Sequence, residues 1–137
     1  MFLDVEDAIV DRLNERLAGT AVLTAEELSD INERQQVTPA VHVIYSGYRP
    51  TREVGDGIVQ EIETQWTVVI AVRSARRGGV REKAAPVMRE VIKALAGWRP
   101  DKSHSTLKLA SAPSAAHNPG FSYYPVQFTT RESVRGT

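Results

Sequence analysis

The sequence predicts an α+β fold, a mostly antiparallel sheet with a long β-hairpin, packed against two helices. Two stretches, Pro39-Ala-Val-His-Val-Ile-Tyr-Ser-Gly-Tyr48 and residues 60–73, alternate in the period-two manner of half-buried strands. Between them Arg49-Pro-Thr-Arg-Glu-Val-Gly-Asp-Gly57 is polar and reads as a turning tip. An amphipathic helix over residues 79–98 follows directly. Helices interspersed with strands in the order α-(β)-β-β-α-β-β place both helices against one sheet.

Each element has its own warrant. Over residues 3–18, Val5, Ala8, Ile9, Leu13 and Leu17 recur at helical spacing. Asp4, Glu6, Asp7 and Asp11 gather in the first turns, where acids suit the positive end of the helix dipole. Gly19 is the expected stop. Residues 20–24 read as a short strand, and residues 25–34 as a short helix or an acidic loop. In the hairpin, Val41, Val43 and Tyr45 share one face of the first arm. Ile62, Thr64, Trp66, Val68, Ile70 and Val72 share one face of the second. Residues 68–72 are apolar on both faces, as in a central strand.

The second helix carries a stripe of Val80, Ala84, Val87, Met88, Val91, Ile92 and Leu95. Pro86 either sets its start shortly upstream or kinks it, Gly97 caps it, and Pro100 prevents continuation. Residues 106–111, with Leu107 and Leu109 inward, and residues 122–132, with Tyr124, Val126 and Phe128 inward, read as strands. Residues 112–120 read as loop.

The chain of 137 residues reads as one domain, 1–137, with 133–137 as a frayed tail. It has no cysteine, which excludes disulfides, thiolate metal sites and a cysteine nucleophile. No apolar run approaches the ~20 residues that span a bilayer. The opening Met-Phe-Leu-Asp-Val-Glu-Asp is acidic where a signal peptide would be basic. The expectation is a soluble protein, intracellular where it is made.

The net charge of zero conceals a division. Residues 1–63 carry 13 acidic and 5 basic side chains, and residues 64–137 carry 12 basic and 4 acidic. Either the two halves interleave and the charges mix, or an acidic surface of one copy meets a basic surface of the next.

The chemistry-bearing types form no catalytic pattern. His42, His104 and His117 have no ligand or base at a motif spacing, and no cofactor or metal is expected. Asp4, Asp7 and Asp11 are explained by the helix dipole. Glu61 and Glu63 share one strand face and so do not flank a scissile bond. The glycine pairs at 55/57 and 78/79 match no phosphate-binding loop. Two groups have interface chemistry instead. One is Tyr48, Arg49 and Arg52 at the tip, residue types enriched in interface hot spots. The other is Arg73, Arg76, Arg77 and Arg81 around the strand-to-helix connection, which could face an acidic neighbour or neutralise phosphates without reading sequence.

Taken together, five segments carry a family resemblance: Ile9-Val-Asp-Arg-Leu13, Pro39-Ala-Val-His-Val-Ile-Tyr45, Thr64-Gln-Trp-Thr-Val-Val-Ile-Ala-Val-Arg73, Ala94-Leu-Ala-Gly-Trp98 and Tyr124-Pro-Val-Gln-Phe-Thr-Thr130. The chain resembles the small tail-terminator (tail-completion) proteins of long-tailed bacteriophages, including those of Mu-like prophages. The resemblance implies a structural protein, not an enzyme. Such proteins form a ring, typically hexameric, at the head-proximal end of the tail tube, where it stops tube polymerisation and presents the surface for head joining. The implied partners are further copies of the chain, the tail tube protein and the head–tail connector protein, with at most nonspecific contact to DNA in the lumen. The implied location is the virion tail, and the bacterial host cytoplasm during assembly. A head–tail connector or other minor tail protein is the alternative within virion assembly. A small α+β ligand-binding module or enzyme, or a nonspecific nucleic-acid binder, is the alternative outside it.

Overall fold

Alternating residues on three long strands build the molecule. A computed structural model describes residues 2–24, 26–27, 38–73, 79–118 and 120–137. In chain order the elements are α1 (Phe2–Arg16), β1 (Ala21–Thr24), β2 (Ala40–Val54), β3 (Val59–Arg73), α2 (Val80–Leu95), β4 (Lys108–Ala110), β5 (Ala116–His117) and β6 (Phe121–Arg135). They form one six-stranded sheet in the order β1-β2-β3-β6-β4, with β5 also pairing β6. All pairings are antiparallel except β1 with β2. The expected α+β class, with two helices on a mostly antiparallel sheet, is the class observed.

The two faces of β3 divide the sheet. Trp66, Val68, Ile70 and Val72 are buried on one face. Val41 and Val43 of β2 lie opposite Ile70 and Val68, and Val126 and Phe128 of β6 lie opposite Val68 and Trp66. Helices α1 and α2 close this face with Val5, Ile9 and Leu13 from one and Ala84, Val91 and Leu95 from the other. α1 lies over β1 and β2, and α2 over β3 and β6. Between the helices, Arg12 donates its Nε–H to the Ala94 carbonyl at 3.0 Å and sets its guanidinium 5.4 Å from the Trp98 ring centre. The Ala94 carbonyl is among the last four of α2, which have no partner within the helix.

Helix α2 runs through Pro86, so the sequence's choice of a start beside that proline is settled in favour of the longer helix. Gly97 adopts φ +78°, the left-handed conformation that ends a helix, and donates its N–H to the Leu107 carbonyl at 2.8 Å. Gly19 ends α1 in the same conformation.

Length decides the rest of the architecture. β2, β3 and β6 are 15 residues each, so each extends about 50 Å. The 15- and 16-residue helices reach only about 22–24 Å. Roughly half of the three-stranded sheet therefore projects past the helices as a β2–β3–β6 ribbon.

The strands correct three expectations. The polar tip is shorter than the sequence implied: residues 49–54 belong to β2, and only residues 55–58 turn. Arg49 lies opposite Glu63 and Arg52 opposite Glu61, so opposite charges face across the strands. Register shifts between Tyr45 and Tyr48 and between Pro50 and Arg52 let the strand absorb Gly47 and Pro50. Residues 133–135, expected to fray, pair with residues 59–61 of β3, and Gly136 donates its N–H to the Ile58 carbonyl at 2.6 Å. Residues 116–117, expected to be loop, pair with β6 as β5.

Leu109 is also corrected. It lies opposite Phe128 on the helix-covered face, yet it is 53% exposed because β4 sits at the sheet edge. Leu107 is buried as expected. Of residues 25–34, only Glu26 and Glu27 are described, both helical.

Candidate assembly surfaces

The ribbon face turned away from the helices carries a network of alternating charge. Glu63 is nearly buried, with a side chain 10% exposed. It accepts from Arg49 Nε at 3.1 Å and from Arg131 Nε at 3.4 Å. Arg131 also approaches Glu61 at 3.9 Å, and Thr51 donates its hydroxyl to the Glu61 carboxylate at 3.0 Å. Strand register explains the cluster: Glu63 lies between Arg49 of β2 and Arg131 of β6. Within the ribbon the acidic and basic halves of the sequence thus interleave.

On the other ribbon face, Tyr45 stacks against Trp66 with ring centres 5.4 Å apart and a tilt of 57°. Trp66 donates its indole N–H to Thr64 Oγ1 at 3.1 Å. Tyr48 lies opposite Thr64 and is 61% exposed. Tyr48 therefore faces one side of the ribbon, while Arg49 and Arg52 face the other.

The candidate residues read from the sequence fall into two regions. Tyr48, Arg49 and Arg52 lie on the body of β2, not on a turn. Arg73 ends β3 and places its guanidinium 5.1 Å from the Phe121 ring centre. Ten residues of β3 separate Arg73 from Glu63, the partner of Arg49, a span of about 33 Å. The structure does not bring Arg73 to Tyr48, Arg49 and Arg52. Arg76 and Arg77 lie outside the described residues, and Arg81 lies in the first turn of α2. Arg73 and Lys83 line a groove of about 300 Å³ with Thr38, Pro39 and Val72.

One buried polar cluster was not legible in the sequence. His104, only 2% exposed, donates its Nδ1–H to Asp101 Oδ1 at 2.7 Å. Its Nε2 lies 2.7 Å from Glu132 Oε2, without the alignment of a hydrogen bond. Burial raises the Asp101 carboxyl, but the His104 hydrogen bond and the Ser103 N–H outweigh it and hold the group below the ordinary carboxylate value. The spacing Asp101-x-x-His104 was visible, whereas Glu132 reaches the ring only through the β6 register. With both ring nitrogens against carboxylates, His104 fastens the 99–105 loop to β6.

Burial lowers His42 from its ordinary value. His117 Nδ1 lies 2.8 Å from Ser122 Oγ, but Ser122 is buried, so that hydroxyl is closed to a substrate. Among the described residues, no group of three or more His, Asp or Glu side chains could hold a metal ion. No described helix is long and apolar enough to cross a membrane.

The extended surfaces on this fold are thus suited to contact with other proteins. A family model described as phage tail terminator protein matches residues 1–137, the whole chain. The chain belongs to the phage tail terminator family. Its role is structural, in tail assembly, and its place is the virion tail. The resemblance carried by the five sequence segments is therefore the family observed. No curated protein matches the chain. Members of a tail terminator family work by contact with other tail or head components, and the paired charges and exposed tyrosine of the ribbon have interface chemistry.

Proposed function

We propose that this chain caps the head-proximal end of the tail tube as a homo-oligomeric ring of six copies. The ring stops tube polymerisation and forms the surface to which the head–tail connector joins. The family match over residues 1–137 carries this reading. The projecting ribbon supports it, because a rigid three-stranded extension reaches a neighbour without disturbing the core. Tyr48, Arg49 and Arg52 contact a neighbouring subunit or the tube. Arg73, Arg76, Arg77 and Arg81 face an acidic neighbour or the lumen, where DNA contact is at most nonspecific. Assembly takes place in the bacterial host cytoplasm.

The test is tube elongation in vitro, followed by light scattering and electron microscopy. Purified chain added to polymerising tube protein arrests growth at a small molar fraction, with density at one end of each tube. Tubes that lengthen regardless of added chain overturn the reading.

A further inference from the structure

Helix α2 leaves one apolar flank uncovered. At 3.6 residues per turn, Ala85, Met88 and Ile92 fall side by side, next to the buried stripe of Ala84, Val91 and Leu95. Arg12 of α1 reaches Ala94, on the other side of that stripe, so the strip points away from α1 toward the β6 and β4 side. Ala85, Met88, Arg89, Ile92 and Lys93 line an open groove of about 340 Å³. Arg89 and Lys93 form its exposed rim. Lys93 pairs with Glu90 at 3.5 Å, while Arg89 forms no ion pair among the described residues. Leu109, exposed on the helix-covered face, extends the same apolar character onto the edge strand β4.

The outer face of α1, turned away from its buried Val5–Ile9–Leu13 stripe, has the complementary charge. Asp7, Asp11 and Glu15 form an exposed stripe on α1 and make no ion pair among the described residues. Glu26 and Glu27 are exposed nearby, and Glu6 beside them is half-buried. The carboxyl of Glu6 is raised by burial and then by the like charges of Asp7, Glu26 and Glu27. In the ribbon, by contrast, acid and base are matched within the chain. Asp7, Asp11 and Glu15 on α1 and Arg89 on α2 have no ion-pair partner among the described residues.

We infer that the Ala85–Met88–Ile92 flank of α2, with Arg89 and Lys93 at its rim, docks against the acidic α1 of a second copy of this chain. The occupant follows from charge complementarity between two different surfaces of one molecule, so the contact is heterologous and repeats head to tail. This rests on the ring reading and specifies the contact that would propagate the ring. It differs from the ribbon residues named above, which remain available to the tube.

The test uses charge reversal and mixing, followed by sedimentation velocity and native mass spectrometry at low salt. Arg89→Glu with Lys93→Glu blocks the α2 side, and Asp7→Lys with Asp11→Lys blocks the α1 side. All four residues are exposed, so folding is retained, and circular dichroism checks this. Each double variant alone requires at least tenfold higher concentration to assemble than the wild type. Mixing the two restores assembly with the variants alternating, because each intact side meets an intact side and each reversed side meets a reversed one. All four substitutions in one chain restore assembly through swapped charges. Variants that assemble like the wild type overturn this contact and leave the terminator reading standing. A wild-type chain that remains monomeric at every concentration overturns it too, and tube elongation then judges the terminator reading separately.

Discussion

Replacing Glu63 with alanine tests whether the ribbon is held by the charge network that links both halves of the chain. The carboxylate is 10% exposed, whereas the Arg49 and Arg131 side chains are 63% and 49% exposed. Removing one member of a fully buried ion pair costs about 3–5 kcal/mol, because the remaining charge stays dry. Here both guanidiniums can rehydrate, which moves each contact toward the range of about 0.2–1 kcal/mol for exposed pairs. Two such contacts, plus the lost packing of a nearly buried side chain, give about 1–2 kcal/mol. Urea unfolding at concentrations where the chain is monomeric reads this as a lower midpoint with unchanged slope. A double-mutant cycle with Arg49→Ala isolates one arm. A loss above about 3 kcal/mol would mean that the arginines are dry. No loss would mean that the 3.1 and 3.4 Å contacts are not populated, and either result refutes the argument.

Three further outcomes follow from the same physics. Trp66→Ala removes a fully buried ring, its Tyr45 contact and its hydrogen bond to Thr64, and costs about 3–5 kcal/mol in the same unfolding assay. Gly55→Ala places a Cβ 2.8 Å from Ile58 Cγ2 at φ +65°, and lowers stability by about 1–2 kcal/mol while leaving the helical circular dichroism intact. In a pH series, the lowered His42 contributes stability that is complete above its ordinary value of 6.5 and is lost as pH falls below it. Asp101, also lowered, contributes stability that is complete above 3.8 and is lost as pH falls through its folded value. Glu6 has the opposite sign, because its raised carboxyl favours the fold below 4.5 and that contribution is lost as pH rises. Thermal melts therefore decline in two acid stages, and His42→Leu removes the first.

Where one residue's neighbours are set by local periodicity, the sequence was legible. The stripe Ala84–Val91–Leu95 and the alternation Trp66–Val68–Ile70–Val72 were both readable because each repeats the period of its own element. The ribbon was not. Residues 49–54 have turn-like composition, and what keeps them extended is the Arg49–Glu63 and Arg52–Glu61 register, a property of two strands and not one. Residues 133–135 carry no apolar alternation and are held by backbone pairing to β3. Leu109 alternates correctly but sits on an edge strand beyond the helices, so its pattern did not reveal its exposure. The two arginine groups were each visible, but the roughly 33 Å between Arg73 and the Arg49–Glu63 pair depends on the length of β3. The charge division between the halves was also visible. The fold splits it, matching charges across the ribbon and leaving Asp7, Asp11 and Glu15 of α1 and Arg89 of α2 without an ion pair among the described residues.

The most direct measurement of the central claim is the distribution of tail lengths, by electron microscopy, in a phage lacking this gene. The account predicts tubes of uncontrolled length without attached heads, and a return to one length with joined heads when the chain is supplied. Tails of normal, uniform length joined to heads in its absence would contradict it.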